Sequence, residues 1–169
     1  PNLNPLFFFV FNCFVPIPAL CALLSLQTRP QRSLPAWPFL AASLGAGFFA
    51  LGPYLTLRDN GNAMDNSDPS PSKLVVGGLL AFALYLPVAS GLWQVTDWSS
   101  VLQEYRNMAA TTNLVALSSV DLVFLHTTVA LLVAQDAQEQ NRDSKWGPVS
   151  FFLPMVGPCL YLLTNKEEN

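Results

Sequence analysis

Five apolar stretches alternate with polar ones along this chain: Asn4 to Leu26, Trp37 to Leu57, Leu74 to Val95, Asn113 to Ala134 and Pro148 to Thr164. A run of about 20 apolar residues crosses roughly 30 Å of hydrocarbon as a helix, and about 17 is the lower limit. Four stretches meet that length and the last sits at it. The pattern predicts an all-α integral membrane protein of about five transmembrane helices in one membrane domain. Between the third and fourth stretches, Trp98, Val101, Leu102, Tyr105, Met108 and Ala109 recur at helical spacing, while Ser99, Gln103, Arg106 and Asn107 fall on the opposite face. This predicts an amphipathic helix over 97–111, either lying on the membrane surface or packed as a linker under a partner. Ser100 and Gln103 have the spacing of a capping box at its start.

Punctuation within the stretches adds detail. Pro16 and Pro18 remove backbone donors, so the first helix is expected to kink or end early. Trp37-Pro38 suits an interfacial indole with proline in the first turn, and Trp146-Gly147-Pro148 opens the last stretch in the same way. In the second stretch, Ala42, Ala46 and Ala50, and Ser43 with Gly47, form small-residue faces that let a helix or flat ligand approach. Gly52-Pro53-Tyr54-Leu55 is echoed by Gly157-Pro158-Cys159-Leu160. Gln27–Ala36, Asn60–Ser72 and Gln135–Lys145 read as polar turns and loops. With five crossings, Arg58, Lys73, Arg142 and Lys145 face one side and Arg29, Arg32, Arg106 and Lys166 the other, so no positive-inside bias results.

Composition narrows the classes. Half the residues are hydrophobic (51%) and only 11% are charged, against about 25% in soluble domains. Spans consume nearly all of the 169 residues, leaving no room for a separate catalytic domain. The net charge of −3 and the absence of a basic patch argue against nucleic acid as a partner. Cys13, Cys21 and Cys159 lie inside apolar stretches without metal-ligand spacing and read as small hydrophobes. The chain starts at Pro1 without a cleavable signal, so a preceding segment is expected.

Among Asp, Glu, Lys, Arg and His, only Asp121 and His126 interrupt the apolar stretches. A mid-membrane carboxylate costs about 2.5–3.5 kcal/mol on insertion scales and must be protonated, paired or turned to a polar interior. For Asp121 the readings are a hydrogen-bonded stripe with Ser118 and Thr128, a proton relay, or contact with pigment or partner. His126, the one histidine, lies about 140° around the helix from Asp121. It can ligate a magnesium porphyrin axially or bond a neighbouring helix. Asn12 and Gln94 are weaker cofactor-binding candidates. One histidine builds no zinc site, and without paired acids or a nucleophile motif an enzyme is not expected.

The run Leu34-Pro35-Ala36-Trp37-Pro38-Phe39, through Gly45-Ala46-Gly47-Phe48-Phe49-Ala50-Leu51 to Pro53-Tyr54-Leu55-Thr56-Leu57-Arg58, resembles a signature of a small multi-span membrane protein family of cyanobacteria and chloroplasts. Asn4-Pro5, Ser119-Val120-Asp121 and Gly157-Pro158 with Tyr161-Leu162 fit the same pattern. The resemblance implies a multi-pass protein of the chloroplast thylakoid membrane and, from red-lineage algal members, an accessory photosystem I subunit. Its expected partners are core and light-harvesting antenna subunits and membrane lipids, and its expected cofactors are chlorophyll and carotenoid. A transient assembly factor and a small proton-coupled transporter using Asp121 are the alternatives.

Overall fold

A computed structural model describes residues 3–27, 36–57 and 72–164. The expected turn at Gln27–Ala36 and loop at Asn60–Ser72 lie largely outside these residues. So do Arg29, Arg32, Arg58 and Lys166. The described residues are helical and contain no strand. The helices are α1 (Pro5–Asn12), α2 (Pro16–Gln27), α3 (Ala36–Ala46), α4 (Phe48–Leu57), α5 (Lys73–Ala89), α6 (Trp98–Thr111), α7 (Asn113–Glu139), α8 (Trp146–Phe152) and α9 (Val156–Leu163). Among the described residues, two helical segments are long and apolar enough to cross a membrane. They are Pro5–Leu24, with mean hydropathy 2.2, and Asn113–Glu139, with mean hydropathy 1.8.

Prolines set many of the helix starts. Pro5 and Pro16 occupy first positions, and Pro38, Pro148 and Pro158 fall in the first turns of α3, α8 and α9. The first-turn N–H groups have no partner inside the helix, so a residue lacking one costs little there. Pro16 and Pro18 accordingly divide the first stretch at Cys13–Val15. The third stretch stops at Ala89 rather than Val95, because Gly91 turns left-handed (φ 76°) and leads into a single 3-10 turn at Leu92–Gln94.

The second and fifth stretches are not single crossing helices. Phe39 and Tyr54 are fifteen residues apart in sequence, a separation of about 22 Å along a straight helix, yet their ring centroids are 5.4 Å apart. Trp146 and Tyr161 have the same sequence spacing and a centroid distance of 5.6 Å. Each stretch is therefore a helical hairpin, α3–α4 and α8–α9. Each turn contains a positive-φ residue, Gly47 (φ 55°) in the first and Met155 (φ 65°) in the second. The Gly-Pro echo now has a structural counterpart, since both copies lie in the returning arm. Gly157 is required there by space as well: a Cβ would sit 2.7 Å from the Ser150 Cα.

α7 is the central element, packed by α1, α2, α4, α6, α8 and α9. Its buried positions Asp121, Leu125, Val129, Leu132, Val133, Asp136 and Ala137 repeat every three or four residues. That stripe carries the helix to Glu139, past the expected end at Ala134, so the beginning of the supposed Gln135–Lys145 loop is helix. Gly147 lets α8 close on this face, since a Cβ there would approach that of Ala134 to 2.8 Å. The three cysteines are buried in the core with Leu20, Leu24, Leu51 and Tyr54.

α6 forms where the stripe places it, with its cap corrected. The N-cap is Asp97, whose carboxylate accepts from the N–H groups of Ser99 (3.1 Å) and Ser100 (3.2 Å), in place of a Ser100–Gln103 box. No α6 side chain is fully buried. The helix is nevertheless tied to its own chain. Asn4 caps α1 through Oδ1 and donates through Nδ2 to the Val101 carbonyl and to Glu104. Tyr105 and Ser119 share a hydrogen bond of 2.5 Å.

Candidate functional site

Both hairpin turns lie against the middle of α7, and each meets one of its two conspicuous polar side chains. At the first turn, the left-handed Gly47 ends α3 and Phe48 begins α4. The Phe48 N–H donates to Asp121 Oδ1 at 2.8 Å. A helix start exposes unsatisfied N–H groups and the positive end of the backbone dipole. Asp121 thus caps α4 from another helix. Gly47 is constrained twice, by its positive φ and because a Cβ would overlap the Asp121 carboxylate.

The expected Asp121 stripe with Ser118 and Thr128 does not form in this way. Thr128 Oγ1 donates to the Phe124 carbonyl of its own helix. Asp121, only 7% exposed, takes its partner from α4.

At the second turn the polarity is opposite. His126 Nε2 lies 2.6 Å from the Phe151 carbonyl oxygen, near the end of α8. Carbonyls in a last helical turn lack intrahelical donors. Because a carbonyl only accepts, Nε2 is the donor in this bond. The rings of His126 and Phe151 also meet, with centroids 5.4 Å apart. Of the two readings of His126, the structure displays the bond to a neighbouring helix. Porphyrin ligation through Nε2 requires that bond to open.

Asn12 and Gln94 are not gathered around His126 by any hydrogen bond. Asn12 donates to the Phe8 carbonyl one turn back in α1 (2.8 Å). Gln94 is exposed in the 3-10 turn. No group of three His, Cys, Asp or Glu side chains suited to a metal occurs among the described residues.

Beside Asp121 the α4 and α7 surfaces diverge around a cavity of about 530 Å³. α4 contributes Phe48, Phe49, Gly52, Pro53 and Thr56, and α7 contributes Leu117, Val120, Asp121 and Phe124. Both sets follow helical spacing, so each helix offers one face. Phe48 and Phe124 stack across the gap with centroids 5.5 Å apart. Asp121 is the one ionisable side chain in this lining. Leu117, Val120, Phe49 and Phe124 are more than half exposed and form an apolar rim.

A second polar cluster, at the far end of α7, was not expected. Asp136, 2% exposed, accepts from the Tyr161 hydroxyl (2.5 Å) and from Gln140 Nε2 (3.0 Å). The Arg142 guanidinium stacks 4.2 Å from the Tyr161 ring centroid and donates to Thr164 Oγ1 at 2.9 Å. This cluster holds both mouths of the α8–α9 hairpin to the end of α7. The apolar positions Val129, Val133 and Ala137 flanking Asp136 at helical spacing were the sequence signal for its burial.

Comparison with known protein families, with curated proteins and with solved structures finds no match.

Proposed function

We propose that this protein is an accessory structural subunit of photosystem I in the chloroplast thylakoid membrane, bridging core and light-harvesting antenna and contacting chlorophyll and carotenoid. The observation that carries the reading is the breadth of apolar side chains presented outward by α5 and α7. Leu74, Leu84, Tyr85 and Val88 on α5 and Val123 and Leu131 on α7 are 58–86% exposed. Continuous apolar faces of this extent call for lipid or neighbouring apolar protein as solvent. The absence of a catalytic constellation from the sequence reading favours a structural role. The residues behind the thylakoid-family resemblance are also those with architectural tasks here: Asn4 as a double tether, Gly47 and Asp121 at the first turn, and Gly157 in the second hairpin.

The membrane topology that accompanies this proposal has three crossings, by α1–α2, α5 and α7, with the α3–α4 and α8–α9 hairpins entering and leaving on one side. At 17 residues, α5 is about 25 Å long, the lower limit for a crossing. Among the described residues, Lys73, Arg142 and Lys145 share one side, and Arg106 faces the other. An excess of this sign is what the positive-inside rule associates with the side of insertion, here the stroma. Non-helical backbone at membrane depth must find partners within protein, and the Asp121 and His126 bonds each satisfy one backbone group beside a turn.

Purification of photosystem I from the source thylakoids, followed by quantitative mass spectrometry, tests the function. One copy per complex is expected. Recovery far below one copy would favour a transient assembly role, and migration as a separate colourless protein would overturn the photosystem reading.

A further inference from the structure

The α4–α7 cavity has a chemistry of its own. Its volume of about 530 Å³ falls within the range of about 300–1,000 Å³ typical of small-molecule sites. Its rim is apolar, so its mouth opens along the surface that the proposed topology turns toward lipid. Inside is a single carboxyl group, whose Oδ1 is occupied by the Phe48 N–H. Asp121 Oδ2 accepts no hydrogen bond among the described residues.

A cation would gain the carboxylate but would face the positive end of α4 and an apolar wall. An anion would meet the carboxylate itself. A ligand carbonyl would suit only a protonated Asp121, and an amine only an ionised one. A neutral hydroxyl both donates and accepts, so it satisfies Oδ2 in either protonation state. The remaining surface, dominated by Phe48, Phe124, Leu117 and Val120, is matched by a rigid hydrocarbon body.

We infer that the α4–α7 cavity binds a hydroxyl-ended isoprenoid, with its hydroxyl on Asp121 Oδ2 and its ring packed against Leu117, Val120 and the Phe48–Phe124 pair. The ligand enters sideways from the bilayer. This inference rests on the membrane placement proposed above and is independent of attachment to a photosystem.

The test uses the full chain in lipid nanodiscs, titrated with β-cryptoxanthin and with β-carotene, which differ by one hydroxyl. Binding is read by induced visible circular dichroism and by extraction of retained pigment. β-Cryptoxanthin is expected to bind about tenfold more tightly, consistent with one hydrogen bond to a buried polar group. Leu117→Trp, at a position 58% exposed, fills the cavity from its rim and is expected to abolish binding while far-ultraviolet circular dichroism stays unchanged. Equal binding of the two carotenoids, or undiminished binding by the Leu117→Trp chain, would overturn the proposal. Competition with cholesterol separates the two sources of the same chemistry: displacement assigns the site to a sterol and persistence to a carotenoid, and both outcomes retain the hydroxyl-ended isoprenoid. A chain that inserts but binds neither carotenoid overturns this inference alone. A chain that does not insert overturns the membrane placement as well.

Discussion

Asp121 Oδ1 on α7 accepts the Phe48 N–H at 2.8 Å, so a side chain in the long helix serves as the N-terminal cap of a helix belonging to a different part of the chain. Five residues later His126 performs the opposite task, donating to the Phe151 carbonyl at the end of α8. An acceptor meets a helix start and a donor meets a helix end, each in agreement with the local backbone dipole.

Substitution at the first turn should be costly. Gly47→Ala places a Cβ into the Asp121 carboxylate and forces a non-glycine residue to φ 55°. A destabilisation exceeding about 1 kcal/mol is expected, measured as a lowered thermal midpoint in detergent. Asp121→Asn retains an oxygen for Phe48 and should lose much less than Asp121→Leu, for which loss of the cap costs about 0.5–2 kcal/mol. Equal stabilities of the Asn and Leu variants would refute the capping role.

The second turn provides an independent measurement. His126→Phe keeps an aromatic ring beside Phe151 but leaves its carbonyl without this donor, at a cost of about 1–3 kcal/mol. Enhanced proteolysis near Leu153–Met155 should accompany the loss. Wild-type resistance in that segment would show that the hairpin does not depend on His126.

Sidedness distinguishes three crossings from five. In a cysteine-free background, single cysteines replacing Asp143 and Thr164 should react with a membrane-impermeant maleimide from the same side, and one replacing Asn107 from the opposite side. Five crossings place positions 143 and 164 on opposite sides, so labelling of those two from different faces would remove the re-entrant topology.

The start of α6 should respond to acid. The Ser99 hydroxyl, followed by the Ser100 N–H, holds the Asp97 carboxyl below the usual carboxylate range. A lowered folded-state pKa means that the cap's contribution is fully present above the unfolded value, about 3.9, and is lost as pH falls through the folded value. Amide exchange at Ser99 and Ser100, corrected for intrinsic rates, should therefore show protection that declines on acidification below about pH 4. Asp97→Asn should remove this pH dependence. An unchanged profile in that variant would assign the transition to another group.

Helix content, the proline starts and the α6 face were readable along the chain because they depend on neighbours within a few residues: side-chain period, missing N–H groups and cap chemistry. Asp121 and His126 stood out for a similarly local reason, as polar groups in apolar runs. Their partners were not readable. Phe48 and Phe151 contribute backbone atoms, which carry no residue-type signal, from elements 73 and 25 positions away. Length and hydropathy likewise do not distinguish a crossing helix from two shorter arms folded together, because both bury the same apolar residues. Tertiary packing decided that point, through positive-φ turns at Gly47 and at Met155, ring contacts between the arms, and an α7 surface that bonds the backbone beside each turn.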